Sequence, residues 1–128
     1  MKNILVTGGC GFIGSAFVRK ALSIGYSVVN IDSLTYAGSL KNLEKENQFK
    51  IYKFFKTDIR NLDQVNSIFE ETQPDKVIHL AAESHVDRSI EAPIDFLETN
   101  VLGTYNMLEA SLKHYNKSKK NKFIFNHV

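Results

Sequence analysis

The sequence predicts an α/β fold: a doubly wound parallel sheet with helices on both faces. Three observations lead there. Short β-branched runs alternate with helix-period segments along the chain, a glycine cluster at residues 8–14 joins the first run to the first helix, and the second run ends on an acid, Asp32. Strands that alternate with helices pair in parallel through right-handed crossovers. Ligands of such sheets gather outside the carboxyl ends of the strands. Chemistry is therefore expected at residues 8–14, 32–35, 58–59 and 81–88.

Each element has its own local reason. Ile4-Leu5-Val6 is a short buried run with a glycine-rich exit. Ile13, Ala16, Phe17, Ala21 and Leu22 fall on one helical face, and Gly25 supplies the stop. Residues 26–32 form a second strand, and residues 49–57 a third, whose lysines at 50, 53 and 56 suit a sheet edge. Asn61 with Gln64 three residues on reads as a capping box opening a helix through Leu62, Val65, Ile68 and Phe69. Pro74-Asp75 is a turn, and residues 77–81 are a fourth strand. Pro93 suits the first turn of a long helix reaching Tyr115, with Ile94, Leu97, Val101, Tyr105 and Leu108 in step. Residues 121–128 are a fifth strand, after which the sheet is expected to be truncated.

The 128 residues make one domain, and an apolar fraction of 43% with 23% charged is ordinary for a globular core. No apolar run approaches the ~20 residues of a membrane span, and the N-terminus does not read as a signal peptide. A single cysteine, Cys10, forbids an internal disulfide and suits a reducing, cytoplasmic setting. Lys113, Lys117, Lys119, Lys120 and Lys122 give residues 110–128 a charge of +5. With no arginine interleaved among them, they are expected to be a solvated helix end, with neither nucleic acid nor membrane as partner.

Gly9-Cys10-Gly11-Phe12-Ile13-Gly14 satisfies G-x-G-x-x-G, with Gly8 just before it. Between a strand and a helix, with Asp32 ending the next strand, this is the pattern of a Rossmann-like dinucleotide site. Gly8, Gly11 and Gly14 let backbone approach a pyrophosphate at the helix N-terminus. A carboxylate at Asp32 accepts ribose hydroxyls and repels a 2′-phosphate, favouring NAD over NADP. The plain alternative is a tight turn with close helix–strand packing. A nucleoside-triphosphate loop is excluded because Ser15, not lysine, follows the last glycine. Cys10 reads as a small turn-filling residue ahead of an activated thiol. No His/Cys/Asp cluster has metal-ligand spacing, so no metal is expected.

Val6-Thr7-Gly8-Gly9-Cys10-Gly11-Phe12-Ile13-Gly14 resembles the extended short-chain dehydrogenase/reductase superfamily. Leu34-Thr35-Tyr36-Ala37-Gly38, Glu98-Thr99-Asn100-Val101-Leu102-Gly103-Thr104 and above all Ala81-Ala82-Glu83-Ser84-His85-Val86-Asp87-Arg88-Ser89-Ile90 resemble the dTDP-glucose 4,6-dehydratase family. The resemblance implies NAD as cofactor. Phe12 and Ile13 would meet the pyrophosphate, Asp32, Ser33, Leu34 and Thr35 the adenosine ribose, and Asp58 and Ile59 the adenine. Leu80, Ala81, Ala82, Glu83 and Ser84 would line the nicotinamide side, Ser84 also reaching a dTDP-sugar substrate, with Thr99 approaching from the long helix. Each has a plain alternative: Leu80 and Ile59 as core, Asp58 as a helix-start acid, Thr99 as an ordinary helix-face residue. Asp87 and Arg88 are expected to form a local ion pair ordering their loop.

In that family NAD takes a hydride from C4 of the glucose ring, water leaves across C5–C6, and the hydride returns to C6. The tyrosine–lysine pair and the Ser/Thr-Thr-Asp-Glu segment that serve this reaction are expected to be missing here, as is the sugar-nucleotide domain. Tyr52 and Lys56 match Tyr-x-x-x-Lys but lie about 13 Å apart on a strand, and Tyr115 with Lys119 falls at a helix end remote from the cofactor. His79 and His85 invite a general-base reading, but His79 reads as packed within its strand. The chain is thus expected to be the NAD-binding portion of a nucleotide-sugar dehydratase, inactive by itself. A non-catalytic dinucleotide-binding module, a degenerate remnant, and a related epimerase or decarboxylase stay open. The family homodimer uses the helix matching residues 93–115, and an open apolar edge at the last strand predicts self-association.

Overall fold

A computed structural model describes residues 2–36, 38–118 and 122–128. Five parallel strands lie in the order β3-β2-β1-β4-β5: β1 (Asn3–Thr7), β2 (Ser27–Asp32), β3 (Tyr52–Lys56), β4 (Lys76–His79) and β5 (Ile124–His127). The order reverses direction between β1 and β4, the switch point at which an open α/β sheet has its crevice. β3 is an edge strand, as its lysines predict, and β5 is the other edge.

Alternation along β1 assigns the two layers. Ile4 and Val6 pack with Val18, Ala21 and Leu22 of α1 (Phe12–Ser23). Leu5, one step out of phase, packs on the opposite face with Val65, Ile68 and Phe69 of α2 (Leu62–Thr72), together with Met107 and Ala110. Asn61 caps α2, its side chain accepting the Gln64 N–H at 3.2 Å. The other half of the capping box differs: the Asn61 N–H donates to the Asp58 carbonyl at 2.9 Å.

Several expectations need correction. The buried face of α1 is Gly14, Ser15, Val18, Ala21 and Leu22, whereas Ile13 and Ala16 point outward: the covered stripe recurs at 14, 18, 21 and 22, rotated from the face that the apolar residues alone suggest. β3 begins at Tyr52; two short 3₁₀ turns, Leu40–Leu43 and Glu46–Gln48, occupy part of the chain before it. The long helix is preceded by a short one, α3 (Val86–Glu91). Pro93 does open it, but it runs as α4 (Pro93–Phe96), a π-helical segment (Leu97–Gly103) and α5 (Thr104–Ser118). Its apolar stripe faces outward: Ile94, Leu97, Val101 and Tyr105 are each more than half exposed and Leu108 nearly so. Its small and polar side, including Asn106, Met107, Ala110, Ser111 and His114, is the buried one. There, side chains bond loop backbone: Asn106 Nδ2 donates to the Ile59 and Arg60 carbonyls, both at 3.0 Å, and His114 Nε2 lies 2.8 Å from the Pro74 carbonyl. Ala37, Lys119, Lys120 and Asn121 lie outside the described residues, and with them parts of the second family segment, the lysine cluster, the second Tyr-x-x-x-Lys match and the expected start of β5.

Candidate functional site

The glycine loop leaves β1 at Gly8, whose φ of +72° is open to glycine at little cost. A Cβ there would stand 2.8 Å from the Ala81 nitrogen, so the loop lies against the exit of β4. Gly14 has no room either, since a Cβ would strike the Gly8 carbonyl. The loop is braced from β2. Asn30 Oδ1 accepts the Gly9 N–H at 3.0 Å, and Asp32 Oδ2 accepts the Cys10 N–H at 2.9 Å. Gly11 is the N-cap of α1 and offers no side-chain cap; the first turn contains no acid, and the Ser15 N–H to Gly11 carbonyl bond is 2.9 Å. The amides of Phe12, Ile13 and Gly14 precede that bond, so the helix's positive end is uncompensated and opens toward solvent. Phe12 is 91% exposed beside it.

Asp32 is nearly buried at the end of β2. Its Oδ1 accepts the Leu34 N–H at 2.8 Å, fixing the exit loop. A carboxylate has about four acceptor positions, so both oxygens keep capacity for a ligand hydroxyl. Cys10 is fully buried, and burial, then the charge of Asp32, pushes its thiol up to about 11. It fills the turn and is not an activated thiol.

At the exit of β3, Asp58 and Arg60 form a fork, with Arg60 Nε at 2.9 and 3.1 Å and Nη2 at 2.7 Å from the carboxylate oxygens. Partial burial opposes the charge of Asp58, but the hydrogen bonds from Arg60 outweigh it and hold the carboxyl below its usual range. Arg60 also reaches Glu98 of the π-helical segment at 3.0 Å.

The exit of β4 hangs on a buried relay. Thr7 Oγ1 accepts the N–H groups of Leu80 and Ala81, both at 3.1 Å, which fills its lone pairs. Its proton therefore goes to His79 Nδ1 at 2.7 Å, leaving His79 as the Nε2–H tautomer that donates to Thr104 Oγ1 at 2.8 Å. Burial, with His127 alongside, pushes His79 down to about 4. It is the last residue of β4 and is packed, so it is no general base. Asn100 then grips Glu83 on both sides, accepting its N–H and donating to its carbonyl, each at 2.8 Å.

These exits enclose one cleft of about 720 Å³. Gly8, Gly11, Phe12, Ile13 and Gly14 line it from the glycine loop; Asp32, Ser33 and Thr35 from β2; Asp58 and Ile59 from β3; Leu80, Ala81, Ala82, Glu83 and Ser84 from β4; and Thr99 from the π-helical segment. Leu34 is the exception. At φ +57° its side chain turns onto the core beside α1, and its backbone amide belongs to Asp32. Ile59 is both core and lining. The expected Asp87–Arg88 ion pair is absent among the described residues: the Arg88 guanidinium lies over the Tyr36 ring, 4.0 Å from its centroid. An aromatic platform brought from another loop outcompetes the adjacent acid. His85 meets the same ring edge-on.

Sequence reasoning did not place Tyr36 or Arg60 on the cleft, gave Arg88 within the expected stretch 81–88 but only as an ion-pair partner, and did not read Asn30, Asn100, Thr104 and Asn106 as its braces. Asn30 carries a legible signal, a polar residue inside a buried strand. Asn100, Thr104 and Asn106 carry a weaker one, opposite the apolar stripe. Tyr52 and Lys56 do lie on β3, the tyrosine buried with its hydroxyl accepting from Asn30 at 3.0 Å. Among the described residues no group of three or more His, Cys, Asp or Glu could hold a metal, and no helix is long and apolar enough to cross a membrane.

Known proteins share both the sequence and the fold. The dTDP-glucose 4,6-dehydratase of Salmonella typhimurium is 50% identical over 129 aligned residues, covering 98% of this chain and 36% of that protein. The Haemophilus influenzae dTDP-glucose 4,6-dehydratase is 48% identical over 132, covering the whole chain and 39% of its own length. Among solved structures, DesIV of Streptomyces venezuelae, a dTDP-glucose 4,6-dehydratase with NAD and TYD bound, is 42% identical at a TM-score of 0.81 over 88% of this chain and 36% of that one. The UDP-glucose 4-epimerase of Thermotoga maritima, with UDP-glucose, is 37% identical, also at 0.81, over 96% of this chain and 37% of that one. The chain thus spans a little over a third of the length of the relatives it matches. A family model described as GDP-mannose 4,6 dehydratase matches residues 5–127, and the chain belongs to that family of Rossmann-like proteins.

Proposed function

We propose that residues 1–128 are the NAD-binding portion of a dTDP-glucose 4,6-dehydratase. The observation that supports this most is the conjunction of an uncapped, acid-free helix N-terminus at Gly11 with the carboxylate of Asp32 on one cleft. The first suits a pyrophosphate and the second a ribose diol. The residues fit the coenzyme. Phe12, Ile13 and Gly14 offer backbone N–H groups; Asp32 with Ser33 and Thr35 faces the adenosine ribose, and Leu34 contributes through backbone that orients Asp32. Asp58 and Ile59 flank the adenine. Leu80, Ala81, Ala82, Glu83, Ser84 and Thr99 border the nicotinamide, with Ser84 at the side where a dTDP-sugar enters. In the parent enzyme NAD held by these residues would supply the hydride-accepting chemistry.

The relay through Thr7, His79 and Thr104 holds the backbone at Leu80 and Ala81 in register with the glycine loop. No helical Tyr-x-x-x-Lys is present among the described residues, so the chain alone binds without turning over. The outward apolar stripe of the long helix supports a homodimer of the parent enzyme, and self-association of this chain through it and through β5. A cytoplasmic place accords with a single buried thiol.

Calorimetric titration with NAD⁺ and NADP⁺, followed by incubation with dTDP-glucose and NAD⁺, tests this reading. Saturable NAD⁺ binding tighter than NADP⁺, with no 4-keto sugar above a blank, is the expected result. Absence of NAD⁺ binding overturns the reading, and product formation overturns its claim of inactivity. A UDP-sugar epimerase portion is the second reading, favoured by the Thermotoga maritima likeness.

A further inference from the structure

β1 lies between β2 and β4, so a contact joining the segment after β2 to the segment after β4 passes over the carboxyl end of β1, where the glycine loop begins. The stack of Arg88 on Tyr36 is such a contact. Both residues line the cleft, as do Phe12 and Ile13 at the open end of α1. Stacking uses the flat face of a guanidinium and leaves its N–H donors, which lie in the plane, free to meet a ligand. Arg60 and Arg88 are the basic residues of the cleft lining. Arg60 is committed to Asp58 at 2.7 Å and Glu98 at 3.0 Å, whereas Arg88 makes no ion pair among the described residues.

We propose that the Tyr36–Arg88 stack is a clasp across the phosphate cradle, in which Arg88 is the counter-ion for a diphosphate seated at the start of α1. The proposal rests on the dinucleotide reading above and adds a charged partner to a loop whose own donors are all neutral backbone amides. An arginine fork matches phosphate oxygens in pairs, and the ring holds it in one orientation before the ligand arrives. The same stack has to part when a diphosphate leaves past it, so the clasp slows release.

The test compares the unaltered chain with Arg88→Ala, Arg88→Lys, Tyr36→Ala and Tyr36→Phe, titrated with NAD⁺, ADP and adenosine at low and moderate salt. Arg88→Ala is expected to weaken NAD⁺ and ADP about tenfold, to leave adenosine within about twofold, and to flatten the salt dependence. Arg88→Lys keeps the charge without the fork and falls between. Tyr36→Phe keeps the platform and stays near the unaltered chain, whereas Tyr36→Ala speeds NAD⁺ release. Should Arg88→Ala lose its fold, Arg88→Gln makes the same comparison. If the unaltered chain binds NAD⁺ and ADP, and the charge-removing variants bind them equally well, the clasp is wrong while the cradle stands. If the unaltered chain binds neither, both readings fall.

Discussion

The two halves of the sheet are finished to different degrees. On the β1-α1-β2-β3 side two buried polar side chains of β2 are engaged: Asn30 bonds Gly9, Tyr52 and Cys10, and Asp32 bonds Cys10 and Leu34. Its edge strand β3 carries Lys53, paired with Glu71 at 3.5 Å, and buries Tyr52. On the β4-β5 side the outer strand is largely exposed, with Ile124 at 44%, Val128 beyond it at 77%, and no charge on β5. The long helix on that side turns Ile94, Leu97, Val101 and Leu112 to solvent. The adenosine side of the cleft is thus preformed by side-chain bonds from Asn30 and Asp32 of β2 to the glycine loop and to β3. The nicotinamide side is held by the Thr7–His79–Thr104 relay and the grip of Asn100 on Glu83, and is bordered by apolar surface that suits another protein face.

Substitutions that attack each half should differ in kind. Gly8→Val faces both the left-handed φ and the Ala81 backbone; it should cost about 3 kcal/mol in denaturant unfolding and abolish NAD⁺ binding. A near-unchanged midpoint would mean that the two halves are not joined there. Next is pH. His79 titrates near 4 in the fold against about 6.5 when unfolded, so the unfolded chain takes up the proton first. Stability should be full above pH 6.5 and fall by about 3 kcal/mol as pH drops toward 4. His79→Gln should flatten that slope in urea melts at stepped pH. Equal slopes would remove the relay from the account.

Smaller effects sharpen the contrast. Asn30→Ala strands the Gly9 amide and should lower stability by about 2 kcal/mol, read from thermal unfolding. Asp32→Ala should weaken NAD⁺ about tenfold and narrow the preference over NADP⁺, read by calorimetry. Ile124→Lys together with Leu108→Lys should shift stability by less than about 0.5 kcal/mol yet shrink the assembled fraction in sedimentation, because both side chains already face water. Large destabilisation by this pair would mean that the second half is as closed as the first.

This division also explains what could be read from the chain. The path from Ile4 through Asp32 was legible because a strand, a glycine turn, a helix and a second strand are each specified within a few residues. Edge placement of β3 was legible from its lysines. The orientation of the long helix was not. Periodicity locates an apolar stripe but does not say whether the sheet or another surface covers it, and here Asn106, Ala110 and His114 face inward. The partner of Arg88 escaped for the same reason. Tyr36 is distant in sequence, and only the crossing of β1 brings them together.

Amide NMR of the isotope-labelled chain during NAD⁺ titration tests the central claim most directly. The account predicts saturable shifts concentrated at Gly11, Phe12, Ile13 and Gly14, then at Ser33, Leu34, Thr35, Asp58 and Ile59, with the separate groove between α2 and α5, lined by Phe69, Glu70, Ala110 and Lys113, unmoved. Shifts confined to that groove, or none at millimolar coenzyme, would contradict it.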